Sequence, residues 1–257
     1  MSKIKETAKV ISQEELASGV YSMWISTNEV VKDAKQGQFI SIYCNDGAKL
    51  LPRPISICEI STNALRIVYR VVGGGTKEFS KYSAGDDIEI FGPLGNGFSI
   101  NNGNSLLIAG GIGIPPMVEL AKSIREAGNT DINIVIGYRD KETFLLNELQ
   151  ALGNVYIATE DGSVGTKGNV MDAIRENDLT ADSIYSCGPT PMLKAVQEYG
   201  IRLGIKTQLS LEEKMACGIG ACLACVCKSK EKDAHTNVNN KRICKDGPVF
   251  LAEEVLL

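Results

Sequence analysis

The stretch 215–247, MACGIGACLACVCKSKEKDAHTNVNNKRICKDG, decides the fold of this chain. Four residues separate Cys217 from Cys222, two separate Cys222 from Cys225, and a longer polar segment precedes Cys244. This is the plant-type spacing in which four thiolates hold the two irons of a 2Fe–2S cluster. Glycines between the first two cysteines fit such a loop, because glycine accepts a positive φ and allows close backbone approach. The spacing therefore predicts an iron–sulfur site with Cys217, Cys222, Cys225 and Cys244 as ligands, and one-electron transfer as its chemistry.

Other uses of the cysteines are weighed beside the cluster. A structural zinc site usually presents two short Cys-x-x-Cys pairs, and only Cys222 and Cys225 have that spacing. Disulfides are disfavoured, because a chain of 257 residues with eight cysteines and no signal-peptide pattern is typical of a reducing compartment. Cys227 is a possible substitute ligand, whereas Cys44 and Cys58 lie in apolar runs and are expected to be small buried hydrophobes.

The composition is that of a soluble globular protein long enough for two domains and a small appendage, with 44% hydrophobic and 23% charged residues. The net charge of −4 and the lack of a basic block disfavour nucleic acid as a partner. No apolar stretch is long enough to span a membrane, so a cytoplasmic location is expected. The single histidine, His235, lies in the polar loop between cluster cysteines and is expected to be solvated rather than catalytic.

The pattern of the chain divides it into three segments. Residues 1–100 show short strands of period two, for example Tyr21, Met23 and Ile25, and predict a small β-barrel. Residues 101–206 alternate strands with helices and predict a parallel α/β sheet with right-handed crossovers. Residues 207–257 form the cysteine-rich segment.

Two glycine turns in the α/β segment predict a nucleotide site. Gly110, Gly111 and Gly113 follow a buried strand and open a helix, where free N–H groups and the helix dipole favour a pyrophosphate. Pro116 stands where the full dinucleotide fingerprint has its third glycine. The second turn consists of Cys187, Gly188 and Pro189. These residues end the strand predicted to be the last of the same sheet, so both turns are expected at one rim.

The end of the third strand of this sheet carries Glu160 and Asp161. Carboxylates at this position accept hydrogen bonds from ribose hydroxyls and repel a 2′-phosphate, so the sequence favours NADH over NADPH. Arg139 argues in the other direction, and a solvated turn is the structural alternative.

Two motifs in the barrel segment suit an anionic flavin dinucleotide. The first combines a cation, a rigid proline and a hydroxyl in Arg53, Pro54, Ile55 and Ser56. The second is the glycine run 73–75 followed by Thr76, which predicts an anion-binding turn. An arginine and a glycine-rich turn are what the phosphates of such a cofactor require.

With these residues in hand, the chain resembles the ferredoxin–NADP reductase superfamily, and within it the electron-transfer subunits of type-B dihydroorotate dehydrogenase. The resemblance covers essentially the whole chain. The pieces that carry it are the cysteine pattern and the following segments: RPIS (53–56), FGPLGNGF (91–98), GGIGIPP (110–116), YSCGPTPML (185–193) and KDGPVF (245–250). It implies a Greek-key flavin-binding β-barrel, an α/β parallel-sheet nucleotide-binding domain and a small C-terminal plant-type 2Fe–2S module.

The resemblance also implies cofactors, site residues and a partner. FAD is implied in the barrel, with NAD(H) at the glycine rim and Cys187 beside the nicotinamide. The residues implied to hold FAD are Arg53, Pro54, Ile55, Ser56, Val68, Tyr69, Arg70, Gly75 and Thr76. Ile55 replaces the aromatic residue that is usual in the superfamily, so Tyr69 is the candidate to cover the flavin face, and Ser56 is the candidate neighbour of its redox centre. The implied partner is an FMN-containing catalytic chain that oxidises dihydroorotate, in a two-plus-two heterotetramer.

Two rival functions use the same residues. One is the flavin and iron–sulfur subunit of a ferredoxin–NADP reductase or sulfur-reducing hydrogenase complex, which only the electron donor distinguishes. The other is a zinc-containing nucleotide-binding module that senses redox state without turnover, and a colourless, flavin-free protein would favour it.

Overall fold

Six antiparallel strands near the N-terminus close into a barrel, in the order β1–β2–β5–β4–β3–β6. The computed structural model describes residues 3–233 and 237–257, so His235 lies outside the described residues. The barrel strands are β1 (Ile4–Ala17), β2 (Val20–Ser26), β3 (Phe39–Ile42), β4 (Arg53–Ile60), β5 (Ala64–Arg70) and β6 (Asp87–Leu94). Alternate apolar residues such as Met23, Ile25 and Ile67 fill the interior and are fully buried, as the period of two predicts.

Two barrel elements differ from expectation. The longest strand, β1, lies in a segment without a clear hydrophobic pattern, and only Ala8 and Val10 in it are buried. A short helix, α1 (Gly74–Phe79), begins within the predicted glycine turn. The Thr76 hydroxyl accepts the N–H groups of Val72 and Gly73 and closes the first turn of this helix.

The second unit is a seven-stranded sheet in the order β10–β9–β8–β7–β11–β12–β15. Its strands are β7 (Ser105–Gly110), β8 (Ile132–Tyr138), β9 (Asn154–Thr159), β10 (Thr166–Lys167), β11 (Ser183–Cys187), β12 (Lys206–Ser210) and β15 (Val249–Leu251). Its helices are α2 (Pro116–Glu126), α3 (Leu146–Gln150), α4 (Val170–Glu176) and α5 (Thr190–Leu203). The central strand β7 is buried along its whole length, as expected of a parallel strand covered on both faces.

The alternating pattern of the sequence predicts a helix over residues 143–152, but α3 covers only Leu146–Gln150. The residues just before α3 are held out of the helix, because the Phe144 carbonyl accepts a hydrogen bond from the Tyr138 hydroxyl at 2.6 Å. Leu145 then adopts a positive φ of 62°, which interrupts a regular helix. Tertiary packing therefore overrides a favourable helical pattern at this point.

The cysteine-rich segment is joined to both other units. Strand β11 was expected to be the last of the sheet, but β12 and β15 follow it, and β15 runs antiparallel to β12. A small ribbon of β13 (Val226–Lys228) and β14 (Asn240–Arg242) carries the polar loop. Asn96 of the barrel donates to the carbonyls of Lys245 and Asp246. The predicted fold class is confirmed, while the domain limits at 100/101 and 206/207 stay a prediction.

Candidate functional site

Main-chain N–H groups lie close to cysteine sulfurs in the loop between β12 and β13 and at Cys244, which follows β14. The N–H groups of Ile219 and Ala221 lie 3.4 and 3.3 Å from the Cys217 sulfur. The Gly220 N–H lies 3.1 Å from the Cys244 sulfur, and the Cys244 N–H lies 3.4 Å from the Cys225 sulfur. Such donors stabilise negative charge on sulfur, which is what a thiolate-held cluster requires.

The four predicted ligands come together as two interacting pairs, Cys217 with Cys222 and Cys225 with Cys244. Burial raises the pKa of Cys217, but the surrounding N–H groups and Cys222 outweigh it and lower the pKa to about 6. Among residues 3–233 and 237–257, no three metal-ligating side chains converge on one ion. Two thiolates for each of two irons is the arrangement of a 2Fe–2S cluster, so the residues fit that group.

The two glycines of the loop are required by its path. Gly218 and Gly220 have φ values of 68° and 82°. A Cβ at Gly220 would come within 2.7 Å of the Lys245 side chain. Gly218 packs against Leu94 and Ser41 of the barrel, so the loop is seated directly on the barrel wall.

The remaining cysteines have other surroundings. Cys227 lies on the ribbon and its thiol donates to the Lys241 carbonyl at 3.6 Å, while burial raises its pKa to about 11. Cys58 is fully buried as expected, and burial raises its pKa. Cys44 is half-buried. The structure therefore gives Cys227 a main-chain partner on the ribbon, apart from the two cysteine pairs.

A cavity of about 500 Å³ lies where the barrel, the sheet and the cysteine-rich segment meet. The predicted flavin residues that line it are Arg53, Pro54, Ile55, Ser56, Val68, Tyr69, Arg70 and Thr76. Gly113, Cys187 and Gly188 of the glycine rim line the same cavity. Its mixture of apolar walls and two arginines, Arg53 and Arg70, suits an elongated ligand with a flat ring and phosphates.

Arg53, which lines this cavity, is in contact with Gly75, which does not. The guanidinium of Arg53 lies over Gly75, where a Cβ would collide with it, and it donates to the Leu51 carbonyl. A glycine is therefore needed at position 75 to leave the cation beside the start of α1. The two barrel motifs, separated in sequence, form one feature.

Tyr69 lines the cavity, but almost none of the residue is exposed. The ring is packed inside the barrel against Tyr21 and Phe79, with centroids 6.0 and 6.1 Å away, and the residue is 1% exposed. Its hydroxyl donates to the Gln13 side chain at 2.8 Å. That Tyr69 covers the flavin face therefore stays a prediction. Val68 and Arg70, on either side of it in β5, line the cavity as well.

A second cavity of about 460 Å³ opens beside the first, over the carboxyl ends of β7, β8 and β9. The predicted nucleotide residues that line it are Gly110, Gly111, Glu160 and Pro189. Arg139 and Met192 line it as well. This is the edge of an open α/β sheet at which ligands bind.

The two cavities share a boundary at the glycine rim. Arg70 and Ile112 line both of them. Gly113 packs so closely on the main chain of Cys187 and Gly188 that a Cβ would collide with it. Burial raises the pKa of Cys187 to about 12, so its thiol is protonated at neutral pH. The rim thus brings a protonated thiol to the meeting point of the two cavities.

The two predicted acidic residues of the nucleotide site have different environments. Glu160 is at the cavity, whereas Asp161 is not among its lining residues. The Asp161 carboxylate accepts the Ser163 N–H at 2.9 Å, and this contact with Ser163 lowers its pKa. Asp161 therefore caps its own turn, as aspartate often does in loops.

Residues 210–215 line the flavin cavity, and among them the sequence suggests only Glu212, as a second candidate neighbour of the flavin redox centre. They connect β12 to Cys217, and Met215 stands two residues before that ligand. No motif marks them. Their place between a sheet strand and the first cluster cysteine is the signal that could have found them.

Comparison with known proteins agrees with this geometry. Residues 212–256 match the profile of the iron-sulfur cluster binding domain of dihydroorotate dehydrogenase B. Residues 107–198 match that of the oxidoreductase NAD-binding domain.

Curated relatives match over nearly the full length. The electron transfer subunit of dihydroorotate dehydrogenase B (NAD(+)) from Caldanaerobacter subterraneus subsp. tengcongensis is 44% identical over 253 residues, 98% of each chain. That from Listeria monocytogenes is 46% identical over 256 residues, 97% of this chain and 98% of the relative.

Solved structures share the architecture. That of an NADH-dependent reduced ferredoxin-NADP oxidoreductase is 31% identical, covers 98% of this chain and 90% of that chain, and has a TM-score of 0.87. A ferredoxin NADP+ reductase from Neisseria gonorrhoeae, 17% identical with a TM-score of 0.66, covers 78% of this chain and 92% of that chain and shares the fold. The paired cysteines and the two cavities agree with these similarities. The chain therefore belongs to the family of electron transfer subunits of NAD-linked dihydroorotate dehydrogenase B.

Proposed function

We propose that this chain passes electrons from an FMN-containing catalytic partner, which oxidises dihydroorotate in pyrimidine synthesis, to NAD⁺. The observation that carries the proposal is the continuity of the three sites. Residues 210–215 wall the flavin cavity and lead directly to Cys217, and the same cavity meets the nucleotide cavity at Arg70 and Ile112. A one-electron site and a hydride site are thereby joined within one chain.

Arg53, Gly75 and Thr76 would hold the phosphates of FAD, and Pro54, Ile55, Ser56 and Val68 would line its ring. Arg53 supplies a fixed cation at the start of α1, and Ser56 pairs with Phe39 on the adjacent strand, which fixes its position at the cavity. When bound, FAD exchanges single electrons with the cluster and a hydride with the nicotinamide.

Gly110, Gly111, Gly188 and Pro189 would hold NAD(H) at the rim, where the backbone approaches closely. Cys187 would place a protonated thiol, which carries no charge, beside the nicotinamide ring. Glu160 would accept from the ribose hydroxyls and disfavour a 2′-phosphate. Asp161 would cap the turn that follows Glu160.

Cys217, Cys222, Cys225 and Cys244 would hold the cluster, and the loop would also dock the catalytic chain. Cys222 is exposed, and the apolar residues Ile219 and Leu223 beside it are 43% and 44% exposed. Electrons would enter at this end, because Cys222 is the exposed one of the four proposed ligands. An exposed apolar rim around the entry point is what a specific partner would cover. A two-plus-two heterotetramer is part of this proposal.

The domain limits of 1–100, 101–206 and 207–257 and a cytoplasmic location belong to the same proposal. The two matched profiles fall within the second and third ranges. All eight cysteines are free thiols, which suits a reducing compartment. Within the part of the chain that the structure describes, no helix has the length and apolar character needed to cross a bilayer.

A second candidate is favoured by the solved structure at 31% identity. That protein is described as an NADH-dependent reduced ferredoxin-NADP oxidoreductase. A chain of this kind would use the same cluster and cavities with a different electron donor. The dihydroorotate assignment is preferred because the curated relatives are 41–46% identical.

The donor decides between the two. The complex would be purified anaerobically from its native cells through a tag on this chain and assayed for NAD⁺ reduction with dihydroorotate or with reduced ferredoxin. We expect rapid turnover with dihydroorotate and co-purification of an FMN-containing chain. Turnover with reduced ferredoxin alone would move the function to the second candidate.

A further inference from the structure

A buried arginine, Arg242, stands behind the cluster loop and takes no part in the sites described so far. It is 5% exposed. Its guanidinium makes two bonds to Asp246, at 3.0 and 3.2 Å, and lies 3.6 Å from Asp233. A guanidinium held by a carboxylate in this two-pronged way has a fixed orientation.

The remaining nitrogen of this guanidinium, Nη1, faces the cluster loop. Its Nη1 lies 3.5 Å from the Gly220 carbonyl oxygen. That carbonyl belongs to the same peptide group as the Ala221 N–H, which lies 3.3 Å from the Cys217 sulfur. The contacts therefore run in line from a cation through one peptide group to a proposed cluster ligand.

We propose that Arg242 is a positioning residue that raises the reduction potential of the cluster through the Gly220–Ala221 peptide. A cation at the carbonyl end polarises the peptide, so its N–H becomes a stronger donor to sulfur. Hydrogen bonds to sulfur set cluster potentials because they stabilise the extra negative charge of the reduced form. A raised potential allows the cluster to accept electrons from a donor less reducing than those that serve plant-type ferredoxins.

Arg242 also holds the peptide in place. Removal of the guanidinium would leave Gly220 free to rotate its carbonyl, because glycine has access to many conformations. We call the contacts from Arg242 through the Gly220–Ala221 peptide to Cys217 the relay. Without the guanidinium, the peptide in this relay would lose both its polarisation and its orientation. The proposal rests on the cluster ligands proposed above, and the iron and sulfide content of the unaltered chain tests that assignment separately.

The experiment is an EPR-monitored redox titration of the purified chain and of Arg242→Gln, Arg242→Lys and the double variant Arg242→Gln with Asp246→Asn. At a fixed solution potential, we expect the ratio of reduced to oxidised cluster to fall by about tenfold in Arg242→Gln. For a one-electron centre this is about 59 mV. Arg242→Lys keeps the charge without the fork, so a smaller fall is expected.

The double variant separates the relay from net charge, because it removes one positive and one negative group together. If the ratio of reduced to oxidised cluster also falls in the double variant, the relay is supported. A potential restored to that of the unaltered chain would overturn the relay and leave only a charge effect. If Arg242→Gln fails to assemble a cluster, Arg242→Lys carries the test, and an unchanged potential in that variant at full iron content overturns the proposal.

Lys241→Gln is the matched control. Lys241 is the neighbouring cation on β14, and its ammonium lies 3.8 Å from Glu254. Successive residues of a strand face opposite sides, so Lys241 and Arg242 lie on different faces of the ribbon. We expect its potential to stay within error of the unaltered chain. An equal fall in Lys241→Gln and Arg242→Gln would show that any cation in the ribbon has the same effect, which contradicts the proposal.

Discussion

The cluster loop and the dinucleotide cavities are built in different ways. The loop takes its ligands from one short stretch and a single distant cysteine, and its own main chain supplies the N–H groups that face the sulfurs. The flavin cavity collects residues from strands β4, β5 and β11 and from residues 210–215, which lie far apart in sequence. The loop is therefore a local structure, whereas the cavities exist only after three units have packed together.

The largest expected effect comes from a substitution that disrupts the cluster loop and leaves the cavities intact. Cys222→Ser removes an exposed ligand from one cysteine pair, and we expect loss of the cluster with FAD retained. Iron content and the visible spectrum measure the two cofactors separately. Cys227→Ser is the control, because its thiol bonds to the ribbon main chain, and it should keep both. Loss of FAD together with the cluster in Cys222→Ser would show that the two regions are not independent.

The reverse experiment breaks a cavity and spares the loop. Arg53→Ala removes the cation beside Gly75. Hydrogen bonds to charged groups contribute about 1.5–3 kcal/mol, so FAD affinity should fall by roughly 10- to 100-fold. Fluorescence of released flavin measures it, with iron content unchanged. Arg139→Ala, which lines only the nucleotide cavity, should retain FAD, and equal losses in both variants would contradict the assignment.

A smaller effect is expected at the nucleotide cavity. Glu160→Gln removes a carboxylate that would repel a 2′-phosphate, and we expect the preference for NADH over NADPH to weaken by about tenfold, or 1.4 kcal/mol. Steady-state kcat/KM with each nucleotide and an artificial acceptor measures this ratio. Asp161→Asn should leave the preference unchanged, because that side chain caps its own turn. A larger change in Asp161→Asn would reverse the two roles.

The smallest effect concerns the barrel interior. Tyr69→Phe removes the hydrogen bond to Gln13, and the free energy of unfolding should fall by about 1 kcal/mol. Denaturant unfolding measures this loss. The flavin spectrum should not change, since the ring is packed inside the barrel. A shifted flavin absorbance would place the ring at the cofactor after all.

The sequence predicts the cluster loop well because ligand spacing is a local property. The thiolate positions follow from distances along the chain, and the structure brings the same four cysteines together in pairs. The alternation of strands and helices likewise predicts a parallel sheet, and β7, β8, β9 and β11 do run parallel. It does not predict β12 and β15, because those short strands lie in the segment that the cysteines dominate.

Side-chain direction is the part that sequence alone does not settle. Tyr69 follows Val68 in a strand, and how much of each faces the cavity depends on the register of the whole barrel. Glu160 and Asp161 are adjacent carboxylates, and only the Ser163 N–H, two residues beyond Asp161, decides that Asp161 is engaged locally. Both outcomes depend on contacts between segments that a single motif does not encode.

The central claim is that the cluster is the obligatory link between the partner and the flavin cavity. The most direct measurement is anaerobic stopped-flow absorbance of the complex carrying Cys222→Ser, mixed with NADH or with dihydroorotate. We predict that NADH bleaches the FAD at the rate of the unaltered complex, while dihydroorotate produces no NADH from NAD⁺. Dihydroorotate-driven NADH formation at the unaltered rate, in a complex shown to lack the cluster, would contradict the account.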